Sequence, residues 1–309
     1  MLSAQVAIVR FRRDVLISRL AGVLLLALAV AAIVAGAGDE QSGWGRSITG
    51  GGLLAALMAF FLYQGYRDLQ SSRRAADWPA MIATGRFEQA ERQIDLSLRT
   101  FSLYRRVKVL SLHNLALLRH AQQRWDEAAI LCRAVLDQQV PMARALAKPS
   151  RLLLADSLLQ GGDLGGVYDS LARLYDQRLS LAEAMTLLQL QLDYSWRVGA
   201  CEAMLAGLPA KVQLSELMPS ASAARAQAFL ALAAHRLGRA DQASWLGRRV
   251  KLLVDPDRFA GEMPGIVEVW KQLALDGAAT AAITGTTAAD GGAAAAGGSS
   301  NTVGGSPGL

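Results

Sequence analysis

The sequence predicts an all-α protein: a transmembrane helical hairpin, then an α-solenoid of about five helix pairs, then a disordered C-terminal tail. Three observations carry this expectation. The 19 residues from Leu20 to Gly38 contain no charged and no strongly polar side chain. Residues 67–275 are dominated by Leu, Ala, Arg, Glu and Gln, with no stretch alternating apolar and polar residues at period two. The same region matches itself at intervals of 37–39 residues.

Composition narrows the possibilities before position is considered. Hydrophobic residues make up 52% of the 309-residue chain and charged residues 19%, against roughly 25% charged in soluble domains, which leans towards a membrane. Two cysteines and three histidines exclude a disulfide framework and a cysteine-rich zinc module. A net charge of +6 spread among alternating signs does not mark a nucleic-acid-binding protein, and none is expected as a partner.

The hairpin is expected at 20–66, after a basic tail at 1–19. A 19-residue helix extends about 28 Å at about 1.5 Å per residue, close to a hydrocarbon core of about 30 Å. A second apolar run, Ser47 to Tyr66, opens with Gly50, Gly51 and Gly52 and carries Tyr63 and Tyr66, aromatics suited to a membrane interface. The eight-residue connector DEQSGWGR permits only an antiparallel hairpin. Arg10, Arg12, Arg13 and Arg19 precede the first run; Arg67, Arg73 and Arg74 follow the second. The positive-inside rule then places both ends in the cytoplasm. The rival reading is a signal peptide with a cleavage site near Ala35-Gly36-Ala37; a secreted or periplasmic main domain would also require the second run not to span.

Aligning 67–275 on Gly85, Gln123, Gly162, Gly199 and Gly238 exposes the repeat. Trp78, Ala116, Ala155, Leu192 and Ala231 stand seven residues before these points; Ala90, Ala128, Val167, Met204 and Ala243 stand five after. The implied unit is a helix, a tight turn through a left-handed residue, and a second helix folded back on the first. Small residues flanking the turn mark the place where the two helices approach, and no such pair buries its apolar face alone, so stacking follows.

The segments ATGRFEQAERQIDLSL (Ala83 to Leu98), NLALLRHAQQRWDEAAILCRAVL (Asn114 to Leu136) and LALAAHRLGRADQA (Leu230 to Ala243) resemble the tetratricopeptide repeat (TPR). The resemblance covers about residues 72–275, with a longer period than the family's 34 and degenerate units around Gly162 and Gly199. Pro264 to Leu275 is expected as a capping helix. The layout, two spans followed at once by such repeats, is similar to that of the HemY family of bacterial inner-membrane proteins. From Gly277 to Leu309, 19 of 33 residues are glycine or alanine, too little apolar surface to offset the entropy of ordering, hence the expected tail at 276–309.

No catalytic constellation emerges, and no enzyme, cofactor or metal is expected. Cys132 and Cys201 fall on packing positions of the repeat. His113 and His120 are seven residues apart, two helical turns on one face, too far to chelate one ion unaided. The run Gly161-Gly162-Asp163-Leu164-Gly165-Gly166 follows a helix, so it reads as a hairpin turn and not a phosphate cradle. Arg105, Arg106 and Lys108 read as a solvated helix face.

What remains is recognition of a protein or peptide by a groove lined by the first helix of each pair. The register assigns His113, Asn114, Leu117 and His120 to the second unit, Asp156 to the third, Asp193, Trp196 and Arg197 to the fourth, and Phe229, His235 and Arg236 to the fifth. Asn114 matches a groove asparagine that many tetratricopeptide proteins use to hold a peptide backbone or carboxylate; the accompanying clamp lysines are absent. The expected function is a membrane-anchored scaffold or adaptor at the cytoplasmic face of a bacterial inner membrane, with the lipid bilayer engaged through 20–66. The alternative is a regulatory or assembly factor of a membrane enzyme complex that acts through the hairpin.

Overall fold

The computed structural model describes residues 2–37, 45–100, 105–139 and 141–271. The expected tail at 276–309 and most of the expected connector lie outside the described residues. Every described element is a helix, and the chain divides into two compact units, Met1–Val198 and Gly199–Leu309.

The first unit begins with two long helices, α1 (Ala4–Ala37) and α2 (Gly45–Ala76), packed on each other. Residues 4–19, expected as a tail, continue the apolar run as one helix. The reason is a short stripe: Ala4, Ala7 and Phe11 recur at steps of three and four, and together with Leu2 they are buried in the main core. After Ser18 no described side chain of the helix is buried, and Leu20, Val23, Leu24, Leu26, Val30 and Val34 are exposed. The most apolar 18-residue stretch within Ala4–Ala31 has a mean hydropathy of 2.1, and 6% of it is buried. It is long and apolar enough to cross a membrane, the one such helix among the described residues. α2 runs ten residues past the expected end at Tyr66; Phe60, Phe61, Leu62, Tyr63 and Tyr66 are exposed along it.

Pairs of helices follow. α3 (Trp78–Ala83) turns into α4 (Phe87–Arg99), α5 (Arg105–Ala121) into α6 (Trp125–Leu136) and, after the short α7 (Pro141–Ala145), α8 (Ala147–Gly161) into α9 (Leu164–Tyr175). α10 (Leu181–Val198) closes the unit against α8 and α9. Neighbouring pairs touch through α4 on α5 and α6 on α8.

The second unit holds α11 (Cys201–Leu205), α12 (Leu208–Glu216), α13 (Ser220–Arg236), α14 (Ala240–Leu253) and α15 (Pro256–Glu262), with residues 266–271 helical again where a capping helix was expected. α13 packs against α11, α12 and α14. Its nine residues from Ala226 to Ala234 are all buried, which fits a run so rich in alanine.

The five aligned turn residues share one backbone state. Gly85, Gly162, Gly199 and Gly238 have φ of 77°, 83°, 79° and 69°, and Gln123, at 60°, is the one non-glycine residue with positive φ among those described. At four of the five turns a second bond closes the helix end: Arg86 N–H donates to Met81 O, Arg124 to Arg119 O, Asp163 to Leu158 O and Arg239 to Ala234 O, each at 2.9 Å. This six-to-one closure satisfies carbonyls that a helix end leaves open. The residues seven before and five after each turn are buried throughout.

The two 39-residue intervals each contain an extra feature. α7 is inserted between the second and third pairs. In the degenerate fourth unit the helix after the turn breaks after five residues, at Gly207 (φ 67°), and restarts with Pro209 in its first turn.

Candidate interaction surface

The groove residues expected in the first unit sort into a buried layer and a half-exposed one. His113 and Asn114 belong to the buried layer, contrary to their expected place on an open face. His113 Nδ1 lies 2.9 Å from Ser150 Oγ, and burial pushes its pKa down to about 4, so the ring is neutral near pH 7. Asn114 is 2% exposed and donates from Nδ2 to Ala75 O of α2 at 3.4 Å. A helical register fixes which side of α5 they occupy; it does not reveal that α2 and α8 cover that side.

The half-exposed layer, with Asp193 buried at its inner edge, forms a polar ladder across α5, α8 and α10. His120 meets the Trp125 ring edge-on, with centroids 4.8 Å apart, and its Nε2 lies 3.0 Å from Asp156 Oδ2. Gln160 Nε2 donates to Asp156 Oδ1 at 3.3 Å. Arg197 bridges onward: Nη2 to Gln160 Oε1 at 3.5 Å, Nη1 to Leu159 O at 2.6 Å and Nε to Asp193 Oδ1 at 2.9 Å. Leu117, one turn before His120, and Trp196, beside Arg197, are half-buried. The structure therefore brings together His120, Asp156, Asp193 and Arg197 from three successive first helices, as the register implied.

Phe229, His235 and Arg236 lie in the second unit. Phe229 is buried under the Arg225 guanidinium, whose carbon sits 5.8 Å from the ring centroid; His235 is half-buried and Arg236 exposed.

A second charged cluster, missed by sequence reasoning, locks α1 to the helix pairs. Arg119 is fully buried; Nη2 donates to Glu91 Oε1 at 2.9 Å and to Leu2 O, and Nε lies 3.2 Å from Glu127 Oε2. Leu2 N–H donates to Glu91 Oε1 at 2.6 Å. Burial alone would raise the Glu91 carboxyl, but the bonds from Arg119 and Leu2 and the guanidinium charge outweigh it and hold the pKa below the ordinary carboxylate value. Farther along, Arg10 Nη1 reaches Asp95 Oδ1 at 2.7 Å and Lys108 Nζ reaches Asp14 Oδ2 at 2.8 Å. Lys108, expected in solvent, is 3% exposed, and burial depresses its pKa despite Asp14. The signal for Arg119 was present: it continues the stripe Leu112, Leu115, Ala116 along the buried side of α5.

The remaining candidates are structural. Burial pushes the Cys132 thiol up to about 12, so it carries no thiolate at neutral pH, and Cys201 is buried. No group of three or more metal-ligating side chains occurs among the described residues. In the glycine run, Asp163 Oδ1 accepts from Gly166 N–H at 2.9 Å and caps α9. A Cβ on Gly166 would stand 2.6 Å from Asp163 Oδ2, so the run is a turn and cap.

No protein-family profile, curated protein or solved structure matches this chain.

Proposed function

We propose that this protein is a membrane-anchored, tetratricopeptide-like scaffold that holds a protein or peptide partner at the cytoplasmic face of a bacterial inner membrane. The observation that carries the proposal is the double character of α1. Its first turns are fastened into the helix pairs by Phe11, Arg10–Asp95 and Lys108–Asp14, while its remainder is apolar and uncovered. In this reading the bare parts of α1 and α2 form the two-span anchor, and the arginines flanking them keep the helix pairs on the cytoplasmic side. The ladder from His120 to Arg197 is the partner surface, with Leu117 and Trp196 as apolar anchors and the polar groups setting register. The repeated turns and buried flanking positions support a stack of tetratricopeptide-like pairs.

Two measurements test the proposal. Protease added outside spheroplasts should leave the helix pairs intact and cut them only after lysis; cleavage from outside ends the topological part. Crosslinking in membranes should give a discrete partner that His120→Ala/Asp156→Ala/Arg197→Ala loses. Unchanged recovery removes the ladder from the proposal. If an unrelated hairpin in place of 20–66 abolishes recovery while the ladder variant does not, the hairpin is the binding element.

A further inference from the structure

A recess of about 220 Å³ opens between α6, α8 and α9, lined by Arg133, Arg151 and Arg173 around a floor of Leu136, Leu154 and Leu158. We propose that this recess is a second docking site, which takes an acidic, extended peptide segment bearing one or two apolar anchor residues.

No close ion pair within the described fold occupies the three arginines. Among the described residues, Arg151 and Arg173 form no ion pair, and Arg133 has only a long contact of 3.9 Å to Asp163. By contrast Arg119, Arg197 and Arg10 of this unit hold carboxylates at 2.7–2.9 Å. Three arginines line one recess, and each carries a planar fork matched to a carboxylate, so together they offer an acceptor-seeking surface.

Size and sign choose the occupant. Sites for small organic ligands enclose roughly 300–1,000 Å³, so this recess holds one or two side chains and not a cofactor. Leu154 and Leu158 are buried beneath it and Leu136 is partly covered, so the floor suits an aliphatic side chain. Asp137 and Asp169 share the rim. Two carboxylates repel a compact dianion such as phosphate, yet they accept hydrogen bonds from the backbone N–H groups of an extended chain. Carboxylates spaced along a peptide, with a leucine between them, satisfy both sets of groups at once. The site lies on α6, α8 and α9, whereas the ladder lies on α5, α8 and α10, so the two can be removed separately.

The test uses the full chain in zwitterionic nanodiscs and a fluorescein-labelled peptide, Glu-Glu-Leu-Glu-Leu-Glu. Saturable binding is expected, weakened at least about ten-fold by R133Q/R151Q/R173Q and weakened again between about 50 and about 300 mM salt. The same peptide with Gln for every Glu should not bind, and H120A/R197A should bind as the wild type does. The charge-reversed R133E/R151E/R173E should instead take Lys-Lys-Leu-Lys-Leu-Lys. Equal binding by the wild type and the Gln variant overturns the proposal. Displacement of the probe by inorganic phosphate at the probe's concentration overturns it too, by showing a simple anion site.

Discussion

Lys108 Nζ stands 2.8 Å from Asp14 Oδ2, with the lysine buried and the carboxylate largely covered. Ninety-four positions separate them, so this one bond ties the start of α1 to the start of α5. Breaking a buried pair by removing one partner costs about 3–5 kcal/mol, whereas replacing both with apolar groups of similar volume is near neutral. Lys108→Met should therefore destabilise the helical fold by about that amount in denaturant unfolding in micelles, and Asp14→Leu/Lys108→Met should restore it. A double variant no more stable than the single one contradicts the pairing.

His113 predicts a specific acid weakness. Its pKa is about 4 in the folded protein and about 6.5 unfolded, so the unfolded chain binds the proton first. The stability of the neutral ring is fully present above pH 6.5 and is lost as pH falls towards 4, at up to about 1.4 kcal/mol per pH unit. From pH 6.5 to 5 the loss should be about 2 kcal/mol. His113→Gln, which keeps a hydrogen bond to Ser150, should show a flat profile over that interval. Glu91, held below its ordinary value, adds its own loss as pH falls from the ordinary carboxylate value towards its lowered one.

Gln123 occupies a conformation that its four counterparts fill with glycine. A side chain at positive φ costs about 1–2 kcal/mol, partly offset by the greater unfolded freedom of glycine. Gln123→Gly should raise stability by about 0.5–1 kcal/mol, and Gly162→Ala should lower it by about 1–2 kcal/mol. Paired thermal melts read both signs. A Gln123→Gly protein that melts lower would show that the side chain does something the turn geometry does not require.

Phe11 is 2% exposed in the core shared by α1 and the pairs. Phe11→Ala should cost about 3–5 kcal/mol locally and strip hydrogen-exchange protection from residues 4–14. Amides of α13 and α14 should keep theirs. Uniform loss across the chain would mean that α1 docking and the global fold are one transition.

The parts legible in the sequence are those set by neighbours a few residues apart. All five turns were found from spacing, including Gln123, where composition gave no hint and only the interval did. The flanking positions at minus seven and plus five were found the same way, because helix–turn–helix geometry fixes them locally. The first turns of α1 were read as a tail because Ala4, Ala7 and Phe11 make a stripe of only three residues, and its partners, Glu91, Asp95, Lys108 and Arg119, lie far along the chain. The ladder from His120 to Arg197 was visible as a register. The covering of His113 and Asn114 was not, because a single-helix pattern cannot tell a groove wall from a face roofed by the next helix.

α1 has no break between Ala4 and Ala37. A helix that long behaves as a stiff rod, and hydrophobic mismatch is relieved mainly by tilting. If the apolar part of α1 spans a membrane as proposed, a thinner bilayer would lean the whole rod and swing the pairs fastened to its first turns through the same angle. Bilayer thickness would then set the attitude at which the protein meets whatever it holds.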